Sequence, residues 1–160
     1  MKALQALILF SMIGIASCAS TPYRDNDLCS EITSFANTTK IGDEHSVSLT
    51  AIWGPTTEHP DQMSYKHCEH GNYAPGAKLC KYLMSNTSTE FPAINFRRAL
   101  ACINGKRDAL AEDIAIDRID TLIWRYEPPG AHPGISIGIE FLAVENRTPT
   151  LKLIAKAHQP

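Results

Sequence analysis

The chain has 160 residues, 44% of them hydrophobic and 20% charged, with a formal net charge of -2. That length suits one domain able to bury a core of its own without a metal or a partner. The near-neutral charge, one unit more negative once the segment carrying Lys2 is set aside, gives no general field for attracting nucleic acid.

Residues 1–17 have a charged start at Lys2 followed by an apolar block from Leu4 to Ala16, too short for a confident membrane span and built like a secretory signal. The block ends Ile15-Ala16-Ser17-Cys18, which resembles the lipobox of bacterial lipoproteins. The resemblance implies that Cys18 is acylated and becomes the new N-terminus, and Ala19 in place of aspartate implies sorting to the outer membrane. An ordinary cleavage at Ser17 to Ala19 is the alternative and leaves a soluble product. Either way Cys29, Cys68, Cys80 and Cys102 remain, an even set in an oxidising compartment, so two disulfides are expected. Asn37-Thr38-Thr39, Asn86-Thr87-Ser88 and Asn146-Arg147-Thr148 are N-glycosylation acceptors, which would matter only in a eukaryotic secretory route.

Residues 18–26 read as a tether and 27–160 as a single domain. Asp25 or Asp27 can cap a helix running to about Asn37, with Leu28, Ile32, Phe35 and Ala36 on one buried side. Val47, Leu49, Ala51 and Trp53 then alternate with Ser46, Ser48, Thr50 and Ile52, the pattern of a strand with one wet face. Gly54 to Gly76 holds three prolines and few apolar residues and reads as a long restrained loop. Ala77, Leu79, Cys80, Leu83 and Met84 share a helical face. After the turn chemistry of Asn86 to Thr89, Pro92 opens a second helix in which Phe96, Ala99, Leu100 and Ile103 repeat, and Asn104-Gly105 ends it. This helical hairpin carries Lys78, Lys81, Arg97, Arg98, Lys106 and Arg107 on its outer side. The rest alternates: Ile114 to Tyr126, broken near Ile119-Asp120; then Ile135 to Ala143 after a Pro-Gly hairpin loop; then Leu151 to Ala155. The order implies an α+β fold with an antiparallel sheet of about four strands, three helices on one face and two disulfides. Four cysteines allow three pairings. Cys68 with Cys80, which closes a short loop, and Cys29 with Cys102 is the first choice.

The residues offer little chemistry. His67-Cys68-Glu69-His70, with His45 and His59 upstream, has zinc-ligand residue types without zinc-site spacing, and Cys68 is the residue most easily claimed by a disulfide in an exported chain, so no metal or cofactor is expected. Oxidised cysteines cannot act as nucleophiles, Ser64 and Ser136 lie in no nucleophile motif, and Glu58, Asp61, Glu69 and Glu90 read as solvated carboxylates. The expectation is an exported, lipid-anchored envelope protein without catalytic activity. It would bind another protein through Tyr65, His67, His70 and Tyr73 on the restrained loop, as an inhibitor or toxin-immunity protein. The Arg125 to Pro133 hairpin is a second candidate surface. An accessory lipoprotein of an envelope complex, or a small hydrolase, is the alternative.

Overall fold

A computed structural model describes residues 26–55, 57, 60–105, 121–126, 129–143 and 148–159, with 26 and 121–126 as backbone alone. Residues 1–25, which hold the expected signal segment, Cys18 and most of the expected tether, lie outside the described residues, as do Glu58, His59 and residues 106–120.

The first helix, α1 (Asn26–Asn37), places Leu28, Ile32, Phe35 and Ala36 in the core as their spacing requires, and Thr38 ends it by donating its hydroxyl to the Phe35 carbonyl. Strands β1 (Glu44–Trp53) and β2 (Ser64–Glu69) form a hairpin, followed by α2 (Ala74–Asn86) and α3 (Pro92–Asn104). Both helices carry a proline in the first turn, where no amide hydrogen is needed, and α3 stops at Gly105 with φ +65°. Strands β3 (Thr121–Tyr126), β4 (Ile135–Leu142) and β5 (Thr150–Ala157) complete the fold.

All ladders are antiparallel and the strand order is β2-β1-β5-β4-β3, so the last strand is inserted at the centre. Register sorts the side chains. Leu49 lies opposite Leu151 and Leu151 opposite Phe141; Val47 lies opposite Leu153 and Leu153 opposite Ile139. These rows are buried, and the described helices pack against them. The intervening residues, Ser46, Ser48 and Thr50 of β1, Lys152 and Lys156 of β5 and Ser136 and Glu140 of β4, form an uncovered face. Phe35, Phe96, Leu79, Leu83, Leu100 and Ile103 fill the core from the helix side, each burial contributing roughly 1.5–3 kcal/mol.

Among the described residues the α+β class, the three helices on one face and both disulfides are as the sequence implies. Cys29 joins Cys102, tying α1 to the end of α3, and Cys68 joins Cys80, tying β2 to α2. Among the described residues the sheet holds one strand more than four: β2 lies inside the segment read as a long loop. Two expected core residues also stand outside it. Trp53 lies past the last covered row of β1, and Met84 faces away from the helical contact, so both are exposed.

Candidate functional site

Strand β2 divides the residues expected to bind together. Cys68 is opposite Leu49 and points to the helices, as does Lys66, so Tyr65, His67 and Glu69 point to the open face. His67 Nε2 stands 3.5 Å from Glu69 Oε1 with both side chains largely in solvent, and the Tyr65 ring lies 6.3 Å from that of His67. His70 and Tyr73 are on the opposite side, where they pack. The Tyr73 ring stacks on His45 at 3.6 Å and meets Phe35 edge-on at 6.0 Å. The Cβ of His70 crowds Gly76, and its Nδ1, like the Tyr73 hydroxyl, is buried without a hydrogen-bond partner among the described residues. The four residues therefore form two separate groups, and only Tyr65 and His67 face solvent as a pair.

The other catalytic and ligating candidates do not assemble. Among the described residues no three His, Cys, Asp or Glu side chains converge on one point. The Ser136 hydroxyl lies 2.9 Å from His158 Nε2, a contact that sequence separation hides, and it borders a depression of about 170 Å³ on the open face shared by Glu44, Gly138, Glu140, Lys152 and Lys156. Lys156 pairs with Glu44 at 3.3 Å and Lys152 with Glu140 at 3.6 Å, so the charges there neutralise one another. The depression is smaller than the ~300 Å³ at which small-molecule pockets begin. A shallow, solvated serine–histidine pair on a flat sheet lacks the dry, donor-lined surroundings that acyl transfer requires. Two residues of the basic outer side of the helical hairpin are likewise engaged: Lys78 pairs with Glu31 at 3.1 Å, and Arg98 donates to the Asn86 carbonyl at 2.8 Å.

A feature the periodicity conceals lies at one end of the molecule. Gly54 donates to the Met63 carbonyl and closes the β1–β2 hairpin, leaving Trp53 58% and Met63 68% exposed. Two residues along β2, Lys66 donates its ammonium to the carbonyls of Met84 (2.9 Å) and Thr87 (2.6 Å), which brings the α2–α3 junction over the same end. That junction is folded by Asn95, buried and bonded through both side-chain atoms to the backbone of Ser88, and by the Ser88 hydroxyl accepting from Phe91 N–H. Met84, Phe91 and Ile94 are consequently held exposed there. Among the described residues, five of the six exposed large apolar side chains flank the β1–β2 connection (Trp53, Met63) or the α2–α3 junction (Met84, Phe91, Ile94); Ile41 lies between α1 and β1. Burial of part of Lys66, and next the positive charge of Arg98, lowers its pKa below the ordinary 10.5. Comparison of the chain with protein-family models, with curated proteins and with solved structures returns no match.

Proposed function

We propose that this is an exported protein-binding module, held at the envelope through an acylated Cys18, whose binding surface is the apolar end formed by Trp53, Met63, Met84, Phe91 and Ile94. The observation that carries the reading is Trp53, more than half exposed beside Met63 on a braced hairpin. A tryptophan left in water costs solvation that burial against a partner recovers, and tryptophan is the residue type most often found at the energetic centre of interfaces. Support also comes from rigidity. The Cys68–Cys80 bridge and the Lys66 contacts hold the hairpin and the helix junction in one arrangement, so binding loses little conformational freedom. Such a surface suits steric occlusion of another protein, the mode of an inhibitor or immunity protein.

The test is chemical cross-linking in the native envelope with wild-type protein and a Trp53→Ser, Met63→Ser double variant. Both positions are exposed, so the variant should keep its thermal midpoint while losing the cross-linked product. A product that survives in the double variant removes this surface from consideration.

A further inference from the structure

The His67–Glu69 pair has the geometry of half a metal site. Its 3.5 Å separation is long for a hydrogen bond. Zinc is held at about 2.0–2.1 Å by imidazole nitrogen and about 2.0–2.2 Å by carboxylate oxygen, so two such ligands at tetrahedral vertices lie about 3.4 Å apart. The observed spacing fits that edge of the tetrahedron without rearrangement. The two residues are i and i+2 on one strand, so both point to the open face, and neither is needed by the core.

Two ligands alone hold a borderline cation weakly, and no third donor of the described chain joins them. What could complete the site follows from the place of β2 in the sheet. Among the described residues it is an edge strand, paired on one side with β1 and with no strand on the other. Its inward residues are occupied within the chain, Lys66 by the α2 carbonyls and Cys68 by Cys80, so neither obstructs the edge. A second copy adding its own β2 antiparallel about a two-fold axis at His67 would set the two His67 side chains directly opposite, with Cβ atoms roughly 4.5–5.5 Å apart. Each Glu69 would reach the same point from its own His67, giving two nitrogen and two oxygen ligands.

We infer that His67 and Glu69 form a divalent transition-metal site, with zinc as the reference ion, completed by the same pair of a second copy docked edge to edge along β2. The site does not depend on the apolar end, so the two proposals stand or fall separately.

The experiment is sedimentation equilibrium of the protein prepared without an affinity tag, in a chelator and in a series of zinc concentrations, with calorimetric titration of zinc alone. The expected result is a monomer in chelator and a doubled mass in zinc, saturating at one ion per two chains, and reversal when chelator is restored. His67→Ala and Glu69→Ala should each stay monomeric at the zinc concentration that dimerises the wild type, whereas His132→Ala, which removes an exposed imidazole on another surface, should dimerise normally. No change in mass with zinc, one ion bound per chain without association, or a dimer that persists in His67→Ala would each overturn the assignment.

Discussion

Lys66 and Arg98 converge on one helix end: the lysine of an edge strand donates to the carbonyls of Met84 and Thr87, and the arginine of α3 donates to the carbonyl of Asn86 between them. Three carbonyls at the C-terminus of α2 thus receive donors from two other elements, where the helix itself has none to give. Both cations gain from that partial negative charge. They also repel each other, and burial of Lys66 adds to the cost of its charge, which is why its pKa is lowered. Lys66→Met should cost about 1 kcal/mol near neutrality, a figure kept small because the side chain is partly solvated.

The sign of the pH dependence follows from the same arrangement. With the folded-state pKa below the unfolded value of 10.5, the unfolded chain binds more protons in the interval between the two. The contribution of Lys66 to stability therefore rises as pH climbs through that interval and is flat below it. Urea unfolding followed from neutrality to about pH 10.5 should show the wild type gaining on Lys66→Met as pH increases. Parallel curves for the two proteins would mean that Lys66 is not desolvated as described.

The two disulfides should differ in what they contribute. In the chain-entropy account the stabilisation grows with the loop closed, about 3 kcal/mol for the 12-residue separation of Cys68 and Cys80 and about 4.5 kcal/mol for the 73 residues between Cys29 and Cys102. Paired alanine substitution of Cys29 and Cys102 should lower the urea midpoint more than that of Cys68 and Cys80. Loss of the shorter bridge should instead act locally, raising amide exchange along β2, which has only one strand neighbour. If the order of midpoints is reversed, local packing rather than loop length governs these bridges.

Much of this architecture is legible in the residues, because most elements bury one regular face. The 3.6-residue repeat in α1 and α3 and the alternation in β1, β4 and β5 identify the core, and the short Cys68-to-Cys80 loop favours the pairing observed. Strand β2 is illegible for a physical reason: its inward positions hold Lys66 and Cys68, satisfied by hydrogen bonds and a disulfide rather than by apolar packing, so Ser64–Glu69 shows no hydrophobic period. That same strand splits the expected binding cluster, since neighbours in sequence point to opposite faces. Trp53 continues the alternation of Val47, Leu49 and Ala51 yet is exposed. Periodicity names the face of a strand but not where the covering helices end. The α2–α3 junction depends on Asn95, a buried polar residue that no pattern of apolar spacing selects.

Gly76 provides a direct test of the packing of His70. A methyl group there would meet the Cβ of His70 at 3.0 Å and Cγ2 of Val47 at 3.2 Å, and Val47 is fully buried between β5 and the helices. Helix propensity alone would favour alanine by roughly 1 kcal/mol. The crowding should outweigh it, so Gly76→Ala should be destabilised by about 1–2 kcal/mol, and adding Val47→Ala should recover part of that loss rather than add to it. Additive losses in the double variant would show that the two positions do not press on each other.

Asn37 fastens the β3–β4 hairpin to the end of α1, and its chemistry permits a sharper test than deletion. Its Nδ2 donates to the Gly130 carbonyl at 3.1 Å and its Oδ1 accepts from His132 N–H at 2.8 Å, so each half of the amide has a fixed role. Asn37→Ala loses both bonds and should cost about 1 kcal/mol. Asn37→Asp keeps the acceptor but sets a carboxylate against the Gly130 carbonyl at the negative end of α1, so near neutral pH it should be no more stable than Asn37→Ala. Protonating that carboxylate restores a donor. The stability of Asn37→Asp relative to Asn37→Ala should therefore improve as pH falls through about 4, while the wild type shows no comparable gain over Asn37→Ala. Amide exchange at His132 reports the contact directly: protection should fall in Asn37→Ala and be retained in Asn37→Asp, and equal protection in all three proteins would exclude Asn37 as the clamp.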